Sequence, residues 1–228
     1  MRYRFQLLSV LFILPLLAAA QEAASSRSCR ILFLTPAADT PKTLYLYDGI
    51  ESLEVDLPRM NLSQAYTLRS GPLRLKLIEY PASDTHPVPP NAPYAEVAAE
   101  QNDIYLILES DPASTVTPVQ MTIVDAGQNR YGKGEMLWLN HTNKEIEGYI
   151  GFKELRMQPG GDVIIADPAM GKTSYPVELF YKPANKNKAY PLCETVWRHD
   201  PRSRNLIIII DDEKRNVPRI LSFSDFRR

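Results

Sequence analysis

The sequence predicts an all-β protein, an antiparallel β-sandwich built as two modules or as one enlarged sandwich. The first observation is residues 136–166, MLWLNHTNKEIEGYIGFKELRMQPGGDVIIA, where apolar side chains recur at every second position within short runs. This spacing indicates pleated strands with one buried face. The second observation is composition, because 19 prolines and 12 tyrosines against 10 glycines are typical of short strands joined by proline-bearing loops.

The other strands are predicted from the same alternation. Leu73, Leu75 and Leu77 alternate with Arg74 and Lys76, so this strand has one face in the core and one in water. Outside residues 136–166, the predicted strands are 30–35, 42–47, 53–57, 66–69, 73–78, 104–108, 119–124, 175–181, 194–199, 206–210 and 219–223.

The chain divides into four predicted segments. Residues 1–20 are a signal peptide, residues 21–80 a first β module and residues 94–228 a second β module. Between the modules, residues 81–93 (PASDTHPVPPNAP) carry five prolines. Prolines exclude this stretch from a sheet interior and indicate an extended linker or a long crossover. The only predicted helix, residues 94–101, opens the second module.

The N-terminus predicts export. Arg2 and Arg4 precede an apolar run, residues 7–17, and small residues at 18–20 supply a cleavage site. This order is typical of a secretory signal peptide and is too short for a membrane anchor. We therefore expect a periplasmic or secreted protein with no membrane span after cleavage.

Charge and motifs exclude several classes of function. After signal cleavage the chain has 24 basic and 27 acidic side chains, without a basic run interleaved with aromatic residues, so no nucleic-acid partner is expected. The histidines His86, His141 and His199 are predicted in loops, and no serine stands in a nucleophile-elbow sequence. No enzyme activity, cofactor or metal site is predicted. Asn61 and Asn140 lie in glycosylation sequons that are expected in exposed turns.

One stretch imitates a nucleotide-binding motif. The apolar run 163–166 leads into Asp167–Thr173, DPAMGKT, which ends like a phosphate-binding loop. That loop needs a glycine where Ala166 stands and a helix after Thr173. Instead, Pro176 follows within a predicted strand. The stretch is therefore interpreted as a turn between two strands.

The two cysteines, Cys29 and Cys193, are predicted to form a disulfide. An even pair in an exported chain is more often bonded than free. The alternative is two unpaired thiols that never meet. Neither cysteine stands in a spacing typical of metal sites.

Four aromatic residues form the candidate binding face. Trp138, Tyr45, Tyr47 and Tyr149 stand on the sides of their strands opposite the leucines or isoleucines. If that face is exposed, the rings could stack on sugars or bind a partner. If a second layer covers it, the rings are core residues. Both alternatives stay open from sequence.

An internal echo suggests duplication. Residues 44–46 and 53–57 stand at the same separation as residues 137–139 and 146–150. An old duplication would give two similar β-sandwich modules. The alternative is that hairpins in any sandwich look alike.

Three segments carry a resemblance. Residues 30–79, with ILFLTPAADTPKTLYLYDG, resemble the opening of secreted bacterial immunoglobulin-like (Ig-like) domains of unknown function. Uncharacterised exported proteins of Verrucomicrobia-like bacteria contain segments that are similar to the other two, MLWLNHTNKEIEGYIGFKELRMQPGG and DPRSRNLIIIIDDEKRNVPRILSFSD. The resemblance implies an Ig-like sandwich in the cell envelope and carries over no catalytic residue.

The expected function is a non-enzymatic interaction or structural role in the cell envelope, with an envelope protein or a glycan as partner. One alternative is a carbohydrate-binding module that uses the aromatic face. Another is a periplasmic pilus-type chaperone, which also has two Ig-like modules after a signal peptide. Such chaperones use a basic pair between the modules, and no such pair is recognisable here. Oligomeric state is not predicted.

Overall fold

The described part of the protein contains only strands, turns and loops. The computed structural model describes residues 26–36, 41–114, 116–212 and 215–226, so the predicted signal peptide lies outside it. Among these residues, no helix could cross a membrane. The predicted helix at 94–101 is wrong, because residues 94–97 form a strand that pairs with Leu73–Lys76.

The strands fall into an N-terminal and a C-terminal set of eight. The first set is β1 (Arg27–Thr35), β2 (Thr43–Tyr47), β3 (Ser52–Asp56), β4 (Tyr66–Leu68), β5 (Leu73–Ile78), β6 (Tyr94–Val97), β7 (Asp103–Ser110) and β8 (Val119–Asp125). The second set is β9 (Met136–His141), β10 (Lys144–Ile150), β11 (Lys153–Met157), β12 (Asp162–Ile165), β13 (Ser174–Pro183), β14 (Tyr190–Arg198), β15 (Arg204–Ile210) and β16 (Arg219–Asp225).

Each set forms a sandwich of two four-stranded sheets. The N-terminal sandwich has an outer sheet ordered β3-β2-β5-β6 and an inner sheet ordered β4-β1-β7-β8. The C-terminal sandwich has an outer sheet ordered β11-β10-β13-β14 and an inner sheet ordered β12-β9-β15-β16. The two orders are identical once eight is added to each strand number. This repeat is what a duplication of one sandwich produces.

The repeated strand order aligns the two halves differently from the echo seen in sequence. The echo matched β2 and β3 with β9 and β10, whereas the sheet order matches β2 and β3 with β10 and β11. Residues 81–93 also lie within the N-terminal sandwich, since strands on both sides of them pair with each other.

Three apolar cores lie between the four stacked sheets. One fills the N-terminal sandwich and another fills the C-terminal sandwich. The third lies between the two inner sheets and joins side chains such as Leu32 and Ile107 to Leu139 and Ile208. The inner strands are therefore buried on both faces, which explains why β15 reads as an unbroken apolar run, LIIII.

Each inner sheet contains one parallel pair within an otherwise antiparallel fold. β1 runs parallel to β7, and β9 runs parallel to β15 in the equivalent place. Neighbouring strands in a parallel pair need a long connection. Five other strands, β2–β6 or β10–β14, lie between the two partners in sequence, and β8 or β16 follows them. All eight strands of a half must therefore be present before its inner sheet is complete.

The predicted disulfide is wrong, because both cysteines are free. Cys29 on β1 faces the core of the N-terminal sandwich, whereas Cys193 on β14 packs at the margin of the core of the C-terminal sandwich. The two inner sheets lie between these cores, and stacked sheets are spaced about 10 Å apart. A disulfide requires Cα atoms within about 7 Å. Burial raises the pKa of the Cys29 thiol to about 12.

Candidate functional site at the free edge of strand β14

Strand β14 is the longest edge strand in the described part of the chain. It has nine residues, whereas β6, which occupies the same place in the N-terminal sandwich, has four. β6 also lies beside β8 of the inner sheet, which closes that side of the N-terminal sandwich. Among the described residues, no strand pairs with β14 on the side away from β13. Natural proteins usually shorten or cover such an edge, because its backbone can pair with another chain.

The backbone of three β14 residues points away from the sheet. His199, just after β14, donates from its backbone N–H to Thr173 O at 3.0 Å. Bonded and non-bonded positions alternate along an antiparallel pair. Glu194, Val196 and Arg198 are therefore the positions whose N–H and C=O groups face the free edge.

Pro176 supports this assignment independently. It stands opposite Val196 in the register, and its carbonyl accepts a hydrogen bond from Gly151 N at 2.7 Å on the β10 side. A proline has no N–H to donate. Pro176 therefore offers Val196 neither an N–H nor a free C=O group, and the backbone N–H and C=O of Val196 point away from β13.

The side chains of the same three residues lie on the solvent face of the outer sheet. Glu194, Val196 and Arg198 are exposed, and Val196 keeps 66% of its surface accessible. Neither charged side chain belongs to an ion pair among the described residues. An exposed valine between two unpaired opposite charges is an arrangement that a partner strand could complete.

Glu194 also stands in an unfavourable electrostatic position. It lies directly opposite Glu178 of β13, and the next two residues across the sheet are Tyr149 and Glu154. Like charges directly opposite each other destabilise a sheet. None of the three glutamates belongs to an ion pair among the described residues, so a cation from outside would stabilise the row.

The other face of β14 reaches the margin of the core. Trp197 is half-buried and stacks on Trp138, with 5.6 Å between ring centroids and 5° between planes. Thr195 lies on the same face of the strand but remains exposed. The apolar interior is thus incompletely covered beside this edge.

The predicted aromatic face is not one surface. Trp138 is fully buried between the sheets of the C-terminal sandwich, so its assignment to a binding face is corrected. It lies there because β9 belongs to an inner sheet with cores on both faces. Tyr45 and Tyr47 are half-buried on β2 of the N-terminal outer sheet, and exposed Tyr149 lies on β10 of the C-terminal outer sheet. The two outer sheets form opposite ends of the stack, which separates these rings.

The nucleotide-like stretch forms one wall of an open cleft. Residues 167–173 form a turn between β12 and β13, and no helix follows them. The cleft has a volume of about 480 Å³ and brings Lys172 and His199 near Lys133. Two carboxylates, Glu135 and Asp167, also line it and balance the lysine charges. This electroneutral cleft has neither the glycine loop nor the following helix that a nucleotide-binding phosphate loop requires.

A buried cluster of charged and hydroxyl groups joins the two sandwiches. Arg204 of β15 donates to Asp225 Oδ2 at 3.0 Å and to Asp103 Oδ2 at 3.1 Å. Tyr105 donates to the same Asp225 oxygen at 2.6 Å and lies 2.5 Å from the Tyr131 hydroxyl. Burial and then Asp225 raise the pKa of Tyr105 to about 12. Because Arg204, Asp225 and both tyrosines are buried and the cluster connects strands of both sandwiches, we assign it to stabilising the fold.

The remaining sequence candidates do not converge on a site. Asn140 is buried and donates to Lys144 O at 2.8 Å, so its sequon is not the exposed turn that we expected, whereas Asn61 is exposed. His86 and His141 lie in separate loops or strand ends. The described residues hold no group of three His, Cys, Asp or Glu side chains suited to a metal ion.

Sequence reasoning missed the β14 edge. The strand itself was predicted, but edge position depends on which strands pair, and pairing is non-local. The usable signal was the segment Glu194–Arg198, ETVWR, in which opposite charges flank an apolar residue at alternate positions. No protein-family model matches the chain, and no curated protein gives a significant match.

Proposed function

We propose that this protein is a non-enzymatic interaction protein of the cell envelope, which binds a partner by adding the partner's strand to the edge of β14. The observation that carries the proposal is the nine-residue edge with outward backbone groups at Glu194, Val196 and Arg198. Strand addition obtains affinity from main-chain hydrogen bonds and specificity from alternate side chains. The envelope location rests on the N-terminal sequence, with Arg2 and Arg4 before an apolar run.

The two alternative functions have less support. A carbohydrate-binding module would need adjacent exposed rings, but Tyr45 and Tyr149 lie at opposite ends of the stack. A pilus-type chaperone would need a cleft between its two modules. The two sandwiches here instead bury a shared apolar core between their inner sheets.

Site-specific photo-crosslinking tests the proposal. A photo-reactive amino acid replaces Val196 in the full-length chain, which is then irradiated in the producing cell and isolated. We expect a crosslinked protein adduct at this position. The matched control places the same amino acid at Val217, an exposed valine in the turn between β15 and β16. Equal adduct yields at 196 and 217 would contradict strand addition at β14.

A further inference from the structure

The segment Glu194–Arg198 is complementary to itself when it is reversed. Its residues are Glu194, Thr195, Val196, Trp197 and Arg198, with the acid and the base placed symmetrically about the valine. In an antiparallel pair of two identical strands centred on Val196, each Glu194 faces Arg198 of the second copy. Val196 faces Val196 of the second copy between these two ion pairs.

We propose that a second copy of this chain occupies the β14 edge. The C-terminal outer sheets of the two copies then form one continuous eight-stranded sheet. This inference rests on the proposed function and names the partner. The contact is isologous, since the same patch is used on both copies, and this is the commonest symmetry of soluble dimers.

The backbone geometry fits this arrangement. Glu194, Val196 and Arg198 all turn their N–H and C=O groups toward the free edge, as the hydrogen bond from His199 and the position of Pro176 indicate. In the symmetric pair, Val196 exchanges hydrogen bonds with its own copy, and Glu194 exchanges them with Arg198. All outward backbone groups of these residues are then satisfied.

The two faces of the strand fit as well. On the solvent face, Arg198 of the second copy supplies the cation that the opposed Glu178 and Glu194 lack. On the inner face, exposed Thr195 meets half-buried Trp197 of the second copy at a non-hydrogen-bonded position, where side chains approach most closely. The pairing therefore covers the margin of the core that β14 leaves open.

A bulge and a proline limit the length of the pairing, and the exposure of its ion pairs limits its strength. Leu192 has no partner in the register with β13, because a bulge lies there, and Pro191 follows it toward the strand start. Regular pairing therefore spans mainly Glu194–Arg198. Such a short ladder buries less surface than a standard stable interface of about 1,600 Å². We expect a reversible dimer, weakened by salt because its ion pairs are exposed.

Charge reversal provides the test. Sedimentation velocity of the mature chain over a hundredfold concentration range should show a monomer–dimer equilibrium. Glu194→Arg places arginine opposite arginine, and Arg198→Glu places glutamate opposite glutamate, so each variant alone should weaken association at least tenfold. An equimolar mixture of the two variants restores both Glu–Arg contacts and should form a heterodimer. The double variant Glu194→Arg/Arg198→Glu should again form a homodimer.

Glu154→Arg is the matched control, because Glu154 is an exposed glutamate on β11, the opposite edge strand of the same sheet. It should associate like the unmodified chain. A circular dichroism spectrum of β type and a cooperative unfolding transition confirm that each variant folds. A monomer at every concentration, or a mixture that fails to associate while each variant folds, would overturn the inference.

The crosslinking experiment separates this inference from the proposed function. An adduct of twice the chain mass at position 196 supports self-association. An adduct of another mass overturns the second copy as partner but retains strand addition at β14. Absence of an adduct beyond the Val217 control overturns both.

Discussion

The two sandwiches have the same strand order but treat the same edge in opposite ways. In the N-terminal half, β6 is four residues long and is covered by its neighbour β8. In the C-terminal half, β14 is nine residues long, and no strand of the described chain pairs with its outer side. Because a common architecture gives both edges the same place, the difference belongs to the residues of β14. The proposed binding edge therefore lies at a position where the two halves differ.

The two halves also differ in how they hold a buried arginine. Arg27 of β1 donates to backbone carbonyls of its own half, including Gly71 O at 2.9 Å and Ala98 O at 2.8 Å. Arg204 of β15 instead reaches across the interface to Asp103 and also holds Asp225. One arginine stabilises loops within a sandwich, and the other joins the sandwiches.

The largest expected effect comes from Arg204→Met. The substitution removes the guanidinium that lies 3.0 Å from buried Asp225 and leaves this carboxylate the Tyr105 hydroxyl and, at 3.5 Å, the Arg30 guanidinium. We therefore expect a loss of unfolding free energy toward the lower end of the range of about 3–5 kcal/mol that breaking a buried ion pair costs. Arg27→Met removes hydrogen bonds but leaves no carboxylate unpaired, so we expect a smaller loss of about 1–3 kcal/mol. Urea unfolding measures both. Equal losses would show that the buried ion pairs of Arg204 have no special weight.

High pH should weaken the interface between the sandwiches. A tyrosine in an unfolded chain has a pKa of about 10, whereas that of Tyr105 is raised to about 12. Burial and then Tyr105 also raise the pKa of Tyr131. A raised pKa means that the stability is fully present below pH 10 and is lost as pH rises through the folded pKa. Each tyrosine contributes about 1.4 kcal/mol per pH unit in that window.

Unfolding midpoints at pH 9, 10 and 11 measure this dependence. The control is the double variant Tyr105→Phe/Tyr131→Phe, which should be less stable at pH 9 but should show a shallower decline with pH. An equally steep decline in this variant would assign the effect to other groups.

Proline substitutions compare the two sides of β14. Val196→Pro removes an N–H that points outward, so the pairing with β13 should persist. Thr195→Pro removes an N–H that points toward Val177 of β13. We therefore expect Thr195→Pro to cost about 1–2 kcal/mol more unfolding free energy than Val196→Pro. The reverse ranking, measured by urea unfolding, would reverse the assignment of free and paired positions and remove the basis for strand addition.

The smallest expected effect concerns the cysteines. Since both thiols are free and lie in different cores, a reducing agent should leave the unfolding midpoint unchanged. Under native conditions a thiol reagent should modify half-buried Cys193 and leave fully buried Cys29 unreacted. An unfolding midpoint that falls on reduction would support the disulfide that the sequence predicts.

Local alternation predicted most strands, since period-two patterns such as Leu73, Leu75 and Leu77 depend only on neighbouring residues. It could not predict that Trp138 is covered, because burial of its second face depends on which sheet β9 joins. The parallel pairing of β1 with β7 and the distance between Cys29 and Cys193 are equally non-local. The candidate site was invisible for the same reason, as a free edge is defined by an absent neighbour.

The core shared by the inner sheets has a consequence for synthesis. Ribosomes make the N-terminal half first, so side chains such as Leu32, Tyr105 and Ile107 have no covering sheet until β9, β15 and β16 emerge. A nascent chain that contains only the N-terminal half would expose a broad apolar surface to water. Such intermediates aggregate readily. This apolar surface should therefore stay exposed until β16, the last strand among the described residues, is available.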